Sequence, residues 1–312
     1  MIIQAPNYTS KQNPSFTKCE YHIIDLIITT KMDNIYLIEN TSKTKFVLKQ
    51  SAIENIKNNK YLINEKKILL HLGKYNHPYI IKLIDCLTNN QSILDTRPGF
   101  MGFQQNLDNS LVFEYHESGD LYSFELQQPN HRIDEEYARK YALQIAKAID
   151  YCHHLGVFHG DIKPDNILLT NDNSIKLIDF GLSKFFTSLD DQFTIKQIGG
   201  TPGYRAPEIL ENDYITPRAD IWSYGITIFE LITGYIPFNT KSQIPSEFTV
   251  LEYNIPISHE FEELMLLLLN VTPSKRPSFP EILQHRWFYM KQLNHSNYQA
   301  TSKYVNPNHF SL

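Results

Sequence analysis

Glycine is scarce here, with 12 residues in a chain of 312 against a usual share of about 7%. That shortage bears on any loop that must bring backbone N–H groups close to a ligand. Cysteine is sparser still: Cys19, Cys86 and Cys152 are odd in number, far apart and without paired metal-type spacing. They give no disulfide framework, and a reducing, cytoplasmic compartment is the expected location. No apolar run is long. The longest, Leu264 to Leu269, falls far short of the roughly 20 residues that a membrane span requires. Residues 1–20 have no positive region leading into an apolar stretch, so no signal peptide is expected. Nor is there a long run of one charge sign, and a formal net charge of −5 gives no reason to expect a nucleic acid or a membrane as partner.

What is present is ordinary globular material. Hydrophobic residues make up 42% and charged residues 20% of the chain, close to the soluble average, and the length allows about two domains with substantial cores.

Residues 1–20 are polar and without period, which suggests a mobile arm. From Tyr21 the pattern turns to strands, Tyr21–Thr29, Ile35–Asn40 and Lys45–Gln50, joined by polar turns. Residues 60–72 place Leu62, Ile63, Leu69 and Leu70 at helical spacing around Glu65. A strand is expected over 79–87. An insertion follows over 88–109, then a strand over Leu111–Tyr115 and a polar turn from His116 to Gly119. Beyond it the chain becomes mostly helical, over 134–155, 220–233, 260–269 and 278–287, with the 220–233 segment apolar nearly all round and so buried. Residues 291–312 form a polar tail.

Two clusters of ionisable and amide side chains stand between short apolar strands in residues 157–181. Asp161, Asn166 and Asp179 lie at strand ends, and Asn171-Asp172-Asn173 turns the strand 175–178 back on 167–169, so the three side chains converge. Two carboxylates and an amide supply the hard oxygen ligands that Mg²⁺ takes beside a polyphosphate, with one carboxylate left to meet a hydroxyl proton. The bland reading of either cluster alone is an ordinary turn. His153-His154 has no third ligand nearby and reads as part of a helix face.

The segments His159–Asn166 and Asp179–Gly181 resemble the H-R-D-x-K-P-x-N catalytic loop and the D-F-G metal turn of the eukaryotic protein kinases, matching at every position but Gly160. The resemblance covers roughly residues 21–290. It implies an α+β, bilobal protein kinase fold: a small antiparallel β lobe with one main helix over about 21–115, and a larger, mostly helical lobe over about 116–290. It also implies ATP and Mg as cofactors, and a protein substrate with a Ser/Thr acceptor. By this resemblance Asp161 is the base, Lys163 neutralises the transferring group, and Asn166 and Asp179 hold the metal. Lys49, paired with Glu65, grips the phosphates. Ile28, Phe113, Glu114, His116, Asp120 and Leu168 surround the nucleotide, with Phe113 at the back, Leu168 as floor and Asp120 on the ribose. Glu208 is similar to the glutamate that pairs with a distant arginine, here Arg276; Asp220, which by its place at the start of the apolar helix reads as an ordinary N-cap, also resembles the aspartate that fastens the catalytic loop from beneath. Lys163 and Thr201 resemble the serine/threonine branch, and the runs Phe180–Lys184 and Gly200–Glu208 most resemble its calmodulin-dependent-kinase-like group.

Two departures qualify the pattern. The positions of the G-x-G-x-x-G loop are occupied by Ile28, Thr30 and Asp33, so nucleotide should bind more weakly, with Asp33 bringing negative charge towards the phosphates and Asp33-Asn34 making the turn in a left-handed conformation. Gly160 removes the arginine that would receive a phosphate on Thr187, Ser188 or Thr194. An active kinase is the expected function; a pseudokinase scaffold is the alternative, favoured by the missing glycines, and a small-molecule kinase is disfavoured by Ala206-Pro207-Glu208. The sequence does not specify an oligomeric state.

Overall fold

Alternating apolar side chains build the first sheet. Strands β1 (Tyr21–Thr29), β2 (Asp33–Asn40) and β3 (Lys45–Ser51) form an antiparallel meander, with Ile23 opposite Ile38 and Tyr36 opposite Leu48. These residues are buried together with Tyr21, Ile93 and Val112 in a small core of their own. The computed structural model describes residues 21–52, 59–87, 93–97, 104–105, 110–194, 200–211, 214–238 and 255–290. The expected arm, the polar tail and Cys19 lie outside the described residues.

The turn into β2 is not the one expected. Asp33 and Asn34 are already in the strand, opposite Ser51 and Gln50, and neither has a positive φ. The bend is Thr30–Asp33, where the Thr30 hydroxyl accepts from the N–H groups of Asp33 (2.9 Å) and Met32 (3.2 Å), while the Thr30 N–H donates to the Asp33 carbonyl (2.8 Å). A threonine side chain thus makes the local bonds that shape the turn, without left-handed backbone.

After β3 the chain enters α1 (Lys60–Leu72), whose first turn is capped by the Asn59 side chain accepting from Leu62 N–H at 3.1 Å. Its buried face is Leu62, Glu65, Ile68, Leu69 and Leu72, whereas Ile63 and Leu70, expected inside, are exposed. The expected strand over 79–87 is shorter, β4 (Leu83–Leu87). Residues 79–81 instead tie into the larger lobe, where Ile81 N–H donates to Leu177 O and Leu177 N–H to Tyr79 O. The 88–109 insertion contributes β5 (Ile93–Asp95), parallel on β1, and β6 (Gln104–Gln105), antiparallel on β5. With β7 (Ser110–Glu114) the sheet has seven strands rather than five, in the order β4-β7-β3-β2-β1-β5-β6. Asp95 is fully buried and clamped by Arg97 through two bonds of 3.0 and 2.6 Å, and the guanidinium lies 5.4 Å over the Tyr36 ring. Three-residue strands paired across some seventy residues of sequence leave no periodic signal to read.

The larger lobe begins with α2 (Leu121–Leu126), unforeseen in the sequence, whose cap is Asp120 accepting from Ser123 N–H at 2.7 Å. Next come α3 (Glu135–His154), β8 (Val157–Phe158), β9 (Ile167–Leu169), β10 (Ile175–Leu177), β11 (Lys184–Phe185), β12 (Phe193–Thr194), α4 (Pro207–Glu211) and β13 (Tyr214–Ile215). Then α5 (Ala219–Thr233) is buried nearly all round, as its apolar composition predicts, and α6 (His259–Leu268) packs on it. The helix expected over 278–287 is divided. A capping box between Ser278 and Glu281 starts α7 (Phe279–Ile282), His285 leaves helical geometry, and a 3₁₀ turn over Arg286–Tyr289 follows. The break delivers the buried Trp287 to α3, where its Nε1–H donates to Glu135 at 2.8 Å. Among the described residues no helix is long and apolar enough to cross a membrane.

Glu208 and Arg276 meet as expected, through two bonds of 2.7 Å, with only 4% and 1% of each residue exposed. Arg276 also donates to Asn270 O and Arg218 O and lies 5.2 Å over Trp222, so it fastens α4 to α5 and the chain beyond α6. Arg276→Ala, which strands a buried carboxylate, is expected to lower unfolding stability by about 3–5 kcal/mol. A urea midpoint near that of the parent protein would contradict this role.

Candidate active site

The β9–β10 hairpin brings the ionisable clusters together. Leu169 pairs with Ile175, and Asn173 supplies the left-handed turn residue at φ 57°. A 3₁₀ turn, Pro164–Asn166, runs into β9, and the Asn166 Nδ2 group donates to Asp161 at both its backbone O (2.8 Å) and its Oδ2 (3.0 Å). The amide nitrogen is thereby used, which leaves the amide oxygen as the atom able to take a cation. The other carboxylate oxygen of Asp161 accepts the N–H and hydroxyl of Thr201 at 2.8 and 2.9 Å. Lys163 Nζ lies 3.9 Å from Asp161 Oδ2.

The Asp161 loop is held from below by Asp220. Its two carboxylate oxygens accept the backbone N–H groups of His159 (2.8 Å) and Gly160 (2.9 Å). Asp220 is not the helix cap, because Arg218 occupies that position and Asp220 lies in the first turn of α5. His153, read as a helix-face residue, is largely buried and bonds the same carboxylate through Nε2 at 2.9 Å. No periodicity argument could find that contact, since it joins residues 67 apart.

Lys49 on β3 is the charged centre between the lobes. Its ammonium contacts Glu65 at 2.8 Å and Asp179 at 3.0 Å, with Asp33 at 3.8 Å. Burial alone would lower the Lys49 pKa, but the Glu65, Asp179 and Asp33 carboxylates outweigh it and raise the pKa above its ordinary value. Burial pushes Glu65 up to about 6 against the pull of Lys49. At Asp179 burial is overcome by Lys49, and the carboxyl titrates below its usual range. Burial also raises Asp33, with Lys49 and the Asn59 amide opposing it.

Asp179 has φ 59°, a left-handed conformation uncommon outside glycine. The following Phe180 is fully buried against His159, and its N–H donates to Glu65 Oε1 at 3.3 Å. Asn64, which sequence reasoning passed over, adds a further tie: its Nδ2 group donates to the carbonyls of Gly181 (3.0 Å) and Ser183 (2.8 Å). Helix α1 and the Asp179–Gly181 turn are thus docked on each other.

The residues that the resemblance assigns to a nucleotide lie on β1, on β7 and the turn after it, at the cap of α2 and on β9. Phe113 on β7 is 7% exposed and packs in the main core, and Leu168 on β9 is partly buried beside that core. Ile28 is 53% exposed near the end of β1. Glu114 accepts from Lys82 N–H and Lys176 Nζ, both at 2.9 Å, with His116 at 3.4 Å, and these bonds outweigh burial to hold its pKa at about 2. Both oxygens of Asp120 face Ser123, one accepting its N–H and the other its hydroxyl at 3.0 Å, so the expected ribose contact would share a carboxylate that already caps α2. By its chemistry the set nonetheless fits a nucleotide with Mg²⁺: a largely buried ammonium, an amide oxygen and a carboxylate are the groups such a ligand takes.

The segment after Asp179 is anchored without an arginine at 160. Gly160 has φ 86°, and a Cβ there would lie 3.2 Å from the Phe158 ring and 3.3 Å from Leu182 O. Phe158 stacks on Phe193 of the segment at 6.0 Å, and β12 pairs with β13.

A family model described as a protein kinase domain matches residues 33–288. CBL-interacting serine/threonine-protein kinase 12 of Arabidopsis thaliana is 31% identical over 260 residues, covering 81% of this chain and 49% of that protein. CBL-interacting protein kinase 32 of Oryza sativa is 32% identical over 248 residues, covering 78% of this chain and 50% of the relative. A probable serine/threonine-protein kinase, MARK-A of Dictyostelium discoideum, is 34% identical over 217 residues, 68% of this chain but 18% of its own length. The chain spans half or less of the length of these curated relatives. With the family model matching most of its length and the docked Lys49, Glu65 and Asp179 in its cleft, the chain belongs to the eukaryotic protein kinase family, in its serine/threonine branch.

Proposed function

We propose that the chain transfers the γ-phosphoryl group of ATP to a serine or threonine hydroxyl of a protein substrate. The observation that carries this reading is the Lys49 ammonium bonded at once to Glu65 and Asp179, an arrangement a mere scaffold has no physical need to keep. Bound Mg²⁺ neutralises the phosphate charge that develops during transfer. Asn166, through the amide oxygen that its bonds to Asp161 leave unused, and Asp179 would hold that ion. Lys49 orients the phosphates, and Glu65 fixes Lys49. Asp161 accepts the hydroxyl proton, and Thr201, bonded to its other oxygen, sets the direction of the carboxylate. Lys163 screens the transferring group.

The pseudokinase reading draws on the missing loop glycines, at the third of which the Asp33 carboxylate lies beside Lys49. It leaves the joint retention of Asp161, Lys163, Asn166 and Asp179 without purpose.

Substrates with a cationic side chain upstream of the acceptor are the class this cleft suits. Asp120 at the start of α2 and Glu230 on α5, which accepts from the Tyr204 hydroxyl, are the carboxylates that would meet it. Burial and the nearby Asp165 push Glu230 up to about 7, with the Tyr204 bond opposing; burial, Glu230 and Asp165 push Glu125 up to about 8. Such crowded carboxylates would each gain from a guanidinium. The described part of the segment, up to Thr194, is held without a phosphate, since Thr187 and Ser188 bond Asp191 and Phe193 stacks on Phe158.

Asp161→Asn and Asp179→Asn are each expected to cut transfer by on the order of 10²-fold or more without unfolding the protein. A radiolabelled-ATP assay beside a melting curve checks both, and near-normal turnover in either variant would end the kinase reading. In a peptide library, arginine upstream of the acceptor should be selected; a preference for acidic or proline-flanked sites would remove the idea. Activity should survive phosphatase treatment of the purified protein, and silencing would show that segment phosphorylation matters after all.

A further inference from the structure

Asp33 occupies the third glycine position of the nucleotide loop, yet its side chain does not project into solvent. It is 9% exposed, and its Oδ1 accepts from Asn59 Nδ2 at 3.0 Å while Oδ2 lies 3.8 Å from Lys49 Nζ. Asn59 is itself 1% exposed and held on both sides, its amide nitrogen also donating to Ser51 Oγ at 3.0 Å and its oxygen capping α1. The backbone of Asp33 is fixed by Thr30 and by the pairing with Ser51. The carboxylate is therefore placed by three elements, β2, β3 and the start of α1.

An ammonium has three donors. Lys49 uses two on Glu65 and Asp179, and Asp33 is the third carboxylate within ion-pair reach. A phosphate oxygen that is to meet Lys49 needs that remaining donor. Three carboxylates around one ammonium also leave the pocket negative before any polyphosphate enters.

Building on the ATP-site reading above, we propose that Asp33 is an internal competitor for the polyphosphate on Lys49, so that this cleft recognises base and ribose normally but gains little affinity from each added phosphate. Asp33 here is a specificity-determining residue, acting on the charged part of the ligand alone. The effect is distinct from the steric one of a Cβ in the loop, because Asp33→Asn keeps the Cβ, the side-chain shape and an oxygen for Asn59 while removing the charge.

The test is calorimetric, on the full chain, with adenosine, ADP and ATP, the last two with Mg²⁺, against the parent protein, Asp33→Asn and Asp33→Ser. In both variants ADP and ATP should bind about tenfold tighter, equivalent to roughly 1.4 kcal/mol, and adenosine should bind as in the parent. Adenosine binding doubles as the check that each variant is folded. If adenosine binds but the ratio of ATP to adenosine affinity is the same in parent and variants, the proposal for Asp33 is overturned while the ATP-site reading stands. If none of the three ligands binds to any of the proteins, the ATP-site reading fails and the proposal falls with it.

Discussion

A single, largely buried ammonium joins the two lobes. Lys49 comes from the sheet, Glu65 from α1 and Asp179 from the hairpin of the larger lobe, and no two of these are neighbours in sequence. An ammonium and a carboxylate buried apart would each carry a desolvation cost of several kcal/mol, so the pair is stable only when closed. With it closed, Asn64 and the Phe180 N–H complete the dock between α1 and the Asp179–Gly181 turn. The catalytic geometry and the lobe arrangement are thus one constraint.

Beneath that centre, α5 serves as the platform. Because it is buried nearly all round, its charged residues can sit there only with partners, and Asp220 finds them in two backbone N–H groups and His153. Those bonds place His159 and Gly160, and through them Asp161. Glu230 on the same helix reaches Tyr204, and Arg276 reaches Trp222, so the segment that carries Thr201 rests on the same platform as the loop that carries Asp161.

The two departures from the family pattern have been absorbed by packing. At 160 a glycine with φ 86° lets the backbone lie against the Phe158 ring, and that ring stacks on Phe193 of the segment. At the loop, Thr30 makes the turn that glycines would have made, and Asp33 turns inward to Lys49 instead of outward. Both replacements are local in sequence but depend on partners far along the chain, which is why neither could be judged from composition.

Much of this protein was legible in its sequence. Binary alternation disclosed β1 to β3, helical spacing disclosed α1, α3 and α6, and near-total apolarity disclosed the burial of α5, because these elements answer to periods of 2 and 3.6 residues that the chain itself displays. The spacing of Asp161, Asn166 and Asp179 around a tight turn disclosed the candidate site, since a hairpin that short leaves the side chains little choice but to converge. The tertiary structure alone decided the rest. Ile93–Asp95 became a strand because β1 offered it an edge, 278–287 broke because Trp287 had to reach Glu135, and His153 turned inward because Asp220 was there to meet it. Asp33 lies beside Lys49 for the same reason: the partners of a buried polar group are chosen by three-dimensional proximity, and sequence distance carries no record of it.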